Sequence, residues 1–225
     1  MTGPSNPKID RIVDQLSDER NSGLALLAFG QSIVGNEARY AKISGSYSGH
    51  IARLQINCTL KETRLWCARV WDRTGHSLPV LAKQIDGRWP DIIAARRAAH
   101  PDWDDEYLIE PGNSCPLDDF VCNVKDLAGS DLIAGIRIHR DEYFAHLLAG
   151  VSGARRKADQ TQIDTKYCYD DVFKLVRQSC DLISEAVRLW RFEVHSSEAC
   201  LRIYESYCNS YWDALPVFTE VEKHV

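Results

Sequence analysis

A long amphipathic segment around residue 180 constrains the fold of this chain more than any other feature. Its stripe positions recur at intervals of three and four, the period of one helix face, at 172, 175, 176, 179, 182, 183, 186, 187, 189, 190 and 194. A stripe this broad is typical of a bundle helix that lies in a core. Helical periodicity continues along the chain, and no segment alternates apolar and polar residues long enough to form a strand. We therefore predict an all-α fold.

Breaks in the periodicity predict how the helices are arranged. Apolar spacing predicts one broken helix or two short ones over 9–34, with Asn21-Ser22-Gly23 as the interruption, and a helix over 49–72 whose apolar residues fall mostly on one side. Further helices are expected from Ser77, from Ser130 to about Ala149, and over 197–216, the last capped by Ser197. Prolines and acidic residues predict an irregular insertion over 101–129, which we expect to form a flap beside the site.

Composition and charge exclude several classes of protein. The net charge is −5 and the pI is near 5.8, so the whole surface cannot bind nucleic acid through phosphate contacts, although a local basic patch can. The longest apolar run, Leu24–Gly30, is far shorter than the ~20 residues of a membrane span. We expect a soluble cytoplasmic protein without membrane or DNA partners.

The eight cysteines are expected to be free thiols. Cys58, Cys67 and Cys180 lie within apolar helical stripes, where a thiol acts as a small hydrophobic group, and a core of this size needs no disulfides. No CxxC pair offers the spacing of a structural zinc site.

One segment, residues 136–146, concentrates the ionisable side chains. The chain has no HExxH, GxxxxGK[ST], GxGxxG or GxSxG motif, so metal hydrolases, nucleotide-binding enzymes and serine hydrolases are disfavoured. An Arg and a His separated by four to six residues occur three times, at Arg69 and His76, at Arg140 and His146, and at Arg188 and His195. A polar residue, Asp141, follows the Arg only in the second pair.

The Arg140-Asp141 pair followed by Ala145-His146 resembles the R-x4–6-H motif of HEPN domains. The upstream segment 65–72, Leu-Trp-Cys-Ala-Arg-Val-Trp-Asp, with Ser77-Leu78-Pro79-Val80-Leu81 resembles a second landmark of the abortive-infection U-type branch of that superfamily. The resemblance implies a single HEPN-like domain over 1–225 with a four-helix core at about 48–195, commonly a homodimer. It also implies a ribonuclease without metal or other cofactor, in phage defence or in a toxin–antitoxin pair.

The chemistry of RNA cleavage suits these side chains. An imidazole moves protons near neutral pH, so we expect His146 to act as general acid or base. A guanidinium binds two phosphate oxygens at once, so Arg140 would be the phosphate clamp and Asp141 would orient a guanidinium or imidazole. On a regular helix Arg140 and His146 point about 240° apart. They can converge if the helix ends or bends near Ala145, or if a dimer brings them together, and we favour the dimer.

Other interpretations of the same segment stay open. Arg140, Asp141 and Glu142 can form a solvated helix face, and His139, Glu142 and His146 at i, i+3 and i+7 can form a metal stripe. We expect Arg137, Arg155, Arg156 and Lys157 to bind the RNA backbone. The alternative function is a catalytically silent HEPN-like module that binds RNA or a protein partner, and an antitoxin protein is a possible partner of either form.

Overall fold

The described part of the chain is entirely helical. The computed structural model describes residues 4–34, 36–44, 49–102, 115–147 and 168–215, with the backbone alone at 142–147. These residues form nine α-helices and no β-strand, which confirms the all-α prediction. The helices are α1 (Pro7–Val34), α2 (Glu37–Ser44), α3 (Gly49–Val70), α4 (Leu78–Ile85), α5 (Trp89–Ala99), α6 (Pro116–Ala128), α7 (Asp131–Leu147), α8 (Tyr169–Arg191) and α9 (Ser197–Ala214).

Helix α1 is one continuous helix of 28 residues, so the predicted interruption at Asn21-Ser22-Gly23 is wrong. Gly23 is needed for close packing rather than for a turn. A Cβ atom at Gly23 would lie 2.4 Å from Cζ2 of Trp66 on α3, and one at Gly30 would lie 2.5 Å from Cζ of Phe173 on α8. The two glycines let α3 and α8 approach α1 at these points, and tertiary packing outweighs their poor helix propensity.

The main core surrounds α1, which packs against α3, α8 and α9. The predicted stripe lies in this core from 172 to 190, but its last position is wrong, because Val194 follows the end of α8 and is 83% exposed. The largest fully buried side chains of the core are Trp66, Trp71 and Trp190. Ile9, Ile12, Val13 and Leu16 of α1 belong to the same cluster. The hydrophobic core therefore includes the amino-terminal helix.

The amino-terminal half of α3 departs from the predicted one-sided stripe. Ile51 and Leu54 are 62% and 63% exposed, whereas the buried positions cluster toward the other end of the helix. Cys58 is exposed as well, which corrects its placement in the core, while Cys67 and Cys180 are buried as predicted. All eight cysteines are free.

Part of the predicted irregular insertion is helical. Residues 116–128 form α6, which buries Leu117, Phe120, Val121 and Val124. Proline is tolerated in the first helical turn, so Pro116 starts this helix rather than breaking it. The rest of the predicted flap, 103–114, lies outside the described residues.

Helix α9 is capped by Ser196 rather than Ser197, because the Ser196 hydroxyl accepts a hydrogen bond from the Ala199 N–H at 3.1 Å.

None of the described helices combines the length and apolarity needed to cross a lipid bilayer.

Candidate functional site

The candidate site is built where the end of α3 meets α7. The indole of Trp71 is buried and donates to the Ser179 hydroxyl of α8 at 2.8 Å, which fixes the chain as it leaves α3. Carbonyls at a helix carboxyl terminus lack intrahelical partners. The Trp71 carbonyl accepts from Arg137 of α7, from Nε at 3.1 Å and from Nη2 by a shorter bond. The Arg137 guanidinium thus lies at the negative end of the α3 dipole and joins α3 to α7.

Arg137 is held at an electrostatic cost. Burial, and then repulsion from Arg73, lowers the pKa of Arg137, and Arg140 adds to the lowering while Asp72 opposes it. Arg137 therefore lies within electrostatic range of two other guanidinium groups and of the Asp72 carboxylate. The sequence predicted Arg137 as an RNA ligand, and the structure shows two of its nitrogens engaged on the Trp71 carbonyl.

Arg140 lies between two carboxylates. Its Nη1 donates to Asp72 Oδ2 at 2.8 Å, and its Nε and Nη2 donate to Asp141 Oδ1 at 3.1 and 3.0 Å. The Arg140 side chain is 24% exposed, so the group lies at the surface rather than in the core. Asp141 therefore contacts a guanidinium, and it is the guanidinium of Arg140 itself.

Asp72 is a residue of the site that no pattern in the sequence indicated, although it closes the landmark segment 65–72. Its position one residue after Trp71, at the end of the predicted helix, was the available signal. Its carboxylate also accepts the Arg73 N–H at 2.6 Å. Arg73, Arg137 and Arg140 against Asp72 and Asp141 give three positive and two negative charges, a net of +1.

This arrangement leaves Arg140 able to bind an anion. A guanidinium has five N–H groups. The contacts with Asp72 and Asp141 use three of them among the described residues, and the remaining two can face a phosphate. The two carboxylates restrict the orientations of the guanidinium before any ligand arrives, which reduces the entropy lost on binding.

His146 shares a helix with Arg140 but not a face. Helix α7 continues past Ala145 to Leu147, so the alternative in which the helix ends near Ala145 is wrong. Six residues along a regular helix correspond to about 9 Å and about 240°. The side chain of His146 lies outside the described atoms. On a regular helix the two side chains of one copy diverge, so their convergence requires either a bend of α7 near Ala145 or a second copy of the chain.

The three Arg–His pairs differ in their local structure. Helix α3 ends at Val70, between Arg69 and His76, and α8 ends at Arg191, between Arg188 and His195. Only the pair at Arg140 and His146 lies within one uninterrupted helix.

Several predicted site residues are outside the described part of the chain. Arg155, Arg156 and Lys157 belong to 148–167, and the side chains of Glu142 and His146 are also undescribed, so the metal stripe of His139, Glu142 and His146 stays a hypothesis. Among the side chains that are described, no three His, Cys, Asp or Glu residues are grouped so as to hold a metal ion.

A protein-family model covers all the helices that build the candidate site. A family model described as AbiU2, of the HEPN type, matches residues 7–211 of the 225-residue chain. The match includes α1, which the sequence had left outside the core, as well as Asp72, Arg140 and His146. No curated protein and no solved structure matches the chain.

Proposed function

The chain belongs to the AbiU2 family of HEPN domains, and from this membership we propose that it is a metal-independent endoribonuclease of abortive infection or of a toxin–antitoxin pair. The observation that carries the proposal is the Arg140 guanidinium, held at the surface by Asp72 and Asp141 with two N–H groups to spare.

The proposed reaction is a transesterification. The 2′-hydroxyl oxygen forms a bond to phosphorus, and the bond from phosphorus to the 5′ oxygen of the next nucleotide breaks. His146 either removes the proton from the 2′-hydroxyl or delivers a proton to the 5′ oxygen, and water carries the other of these two protons. Arg140 neutralises charge on the equatorial oxygens. The products are a 2′,3′-cyclic phosphate and a 5′-hydroxyl, and no electrons are exchanged.

We further propose that the active unit is a homodimer in which Arg140 of one copy meets His146 of the other. The proposal is supported by the continuity of α7 through Leu147, since a single regular helix separates the two residues by about 240°. We assign Asp72 and Asp141 a positioning role, because their carboxylates accept hydrogen bonds from the Arg140 guanidinium.

The direct test is cleavage of a 5′-labelled RNA by the purified chain in excess EDTA. Replacement His146→Ala is expected to lower the rate about 10²-fold or more, the usual effect of removing a general acid or base. Arg140→Lys keeps the charge but loses the planar pair of donors, so it is expected to lower the rate as well.

The chain supplies matched controls in its third Arg–His pair. Arg188 donates to Glu185 in its own helix and His195 contacts Glu193, so Arg188→Ala and His195→Ala are expected to leave cleavage unchanged. Equal activity of His146→Ala and wild type in EDTA would refute the proposed chemistry. Loss of activity on chelation would favour the metal stripe instead, and RNA binding without cleavage would favour the silent module.

A further inference from the structure

A basic cleft lies beside the candidate site, where the start of α1 meets the turn between α3 and α4. Its volume is about 420 Å³, and the described residues that line it are Pro7, Lys8, Arg11, Ile12, Gly75 and His76. Lys8 and Arg11 come from the first turns of α1 and are exposed, and His76 comes from the turn and is exposed too. The cleft therefore joins two cationic side chains of α1 to an imidazole of the turn.

The charge of this cleft distinguishes it from two other clefts of similar size. One of those is lined by Asp126, Asp181 and Glu185 among others, and the second contains Asp181, Glu185 and Glu198. No carboxylate occurs among the described residues that line the basic cleft. On a chain of net charge −5, a cleft without acidic lining provides the local positive surface that an anionic polymer requires.

The acidic residues of α1 nearest to the cleft are engaged elsewhere. Asp10 accepts a hydrogen bond from the Trp190 indole at 2.8 Å, and Asp14 pairs with Arg191 at 2.6 Å, both toward α8. For Lys8 and Arg11 no ion pair is formed with any residue in the described ranges. The amino-terminal end of α1, at Pro7, adds the positive end of the helix dipole to the same field.

The turn that builds one wall of the cleft also carries part of the candidate site. Asp72 accepts a hydrogen bond from Arg140. His76 follows Asp72 by four residues, so the backbones at Asp72 and His76 are at most about 14 Å apart. Gly75 has a φ of 74°, a left-handed conformation that favours glycine, and it lines the cleft together with residues of α1. Arg73, next to Asp72 and exposed, lies between the two regions in sequence.

From this juxtaposition we infer that the Lys8–Arg11–His76 cleft is a second phosphate-binding subsite, which holds the backbone of the substrate RNA a few nucleotides from the phosphate bound at Arg140. The inference rests on the proposed function for its choice of ligand. Lysine and arginine bind phosphate without reading sequence, so the cleft contributes affinity and register rather than base preference.

The test is the binding of a fluorescently labelled single-stranded RNA by the full chain carrying His146→Ala, measured by anisotropy over a range of salt concentrations. A Lys8→Ala and Arg11→Ala double variant is expected to bind about tenfold more weakly at low salt. Because each phosphate contact to a single strand contributes about 0.7 to the slope of log K against log salt, the slope is expected to fall by about 1.4.

The matched control removes two positive charges elsewhere, with Arg53→Ala and Arg202→Ala. Arg53 is exposed near the start of α3, and at the rise of an α-helix its position is about 27 Å from Trp71 along the helix axis. Arg202 pairs with Glu198 on α9. This control is expected to keep the wild-type slope. Thermal unfolding of all variants checks that the exposed substitutions leave the fold intact.

The outcomes separate this inference from the proposed function. An unchanged affinity and slope in the Lys8 and Arg11 variant would overturn the cleft assignment, whether or not the wild-type chain cleaves RNA. If the chain does not cleave RNA but the double variant still loses binding, the cleft assignment stands and the ribonuclease is refuted. If polyglutamate of matched charge binds as tightly and loses as much affinity in the variant, the cleft is a site for an acidic polypeptide and the RNA assignment is wrong.

Discussion

Replacement of Gly23 by Ala tests the packing of α1 on α3, on which the placement of the site depends. In most helices this change stabilises by up to about 1 kcal/mol, because alanine is the better helix former. At Gly23 the new Cβ would lie 2.4 Å from Trp66 Cζ2, well inside the separation of about 3.5–4.0 Å at which carbon atoms attract. Trp66 is fully buried, and its indole donates to the Glu19 carbonyl at 2.8 Å.

The indole can therefore yield only by straining the core. Overpacking costs about 1–3 kcal/mol. Loss of the indole hydrogen bond adds about 1–3 kcal/mol if the polar groups stay buried. With central values of about 2 kcal/mol for each cost and about 1 kcal/mol for the gain in helix propensity, Gly23→Ala is expected to lower the free energy of unfolding by about 3 kcal/mol. At about 2–4 °C per kcal/mol this corresponds to a fall in Tm of roughly 6–12 °C.

The assay is urea and thermal unfolding beside a matched glycine variant. Gly129 follows α6 with a φ of −85°, and its added Cβ would meet nothing closer than 3.5 Å, so Gly129→Ala is expected to be neutral or to stabilise by up to about 1 kcal/mol. If Gly23→Ala proved as stable as Gly129→Ala, the close approach of α3 to α1 would be refuted.

Three further predictions concern the site and the core. Asp72→Asn is expected to lower the RNA cleavage rate severalfold, because the Arg140 guanidinium loses one of its two carboxylate partners. The same change is expected to cost less than about 1 kcal/mol of stability, because the ion pair is partly exposed. An unchanged cleavage rate would show that Asp72 does not position the guanidinium. Arg137→Met, which keeps the aliphatic stem, is expected to cost about 1 kcal/mol in urea unfolding, since relief of its burial and of repulsion from Arg73 offsets part of the lost bonds to Trp71. Burial raises the pKa of Cys67 far above its ordinary value and that of Cys180 to about 12. As the pH rises, these thiols lose their protons in the unfolded chain before they do in the folded one. Above about pH 9 the free energy of unfolding should therefore fall by up to about 1.4 kcal/mol per pH unit for each thiol. The Cys→Ala variants should lack that part of the slope.

The sequence predicted the helices better than it predicted their neighbours in space. The stripe from 172 to 190 and the burial of Trp66 and Trp71 were predicted correctly, because burial on one helix face leaves a period in the sequence. Gly23 was misinterpreted as a break, since the sequence does not show that an indole 43 residues later fills the space above it. Helix α6 was missed because proline at a first helical turn resembles proline in a loop.

In the candidate site, too, neighbours in sequence could be predicted and neighbours in space could not. Arg140 and Asp141 could be found from sequence because they are adjacent in a motif, and the structure places them in contact. Asp72 is 68 residues away from Arg140, and its role depends on the packing of α3 against α7. The basic cleft likewise joins α1 to a turn some sixty residues later, a proximity that no local pattern in the sequence indicates.

The most direct test of the central claim mixes two inactive copies of the chain. Chains carrying Arg140→Ala and His146→Ala, each with a different affinity tag, are co-expressed, and the mixed dimer is purified through both tags. If Arg140 of one copy works with His146 of the other, the mixed dimer retains one intact site of two and is expected to cleave RNA at about half the wild-type rate. A mixed dimer as inactive as its parents, or a failure to recover any mixed species, would contradict the account.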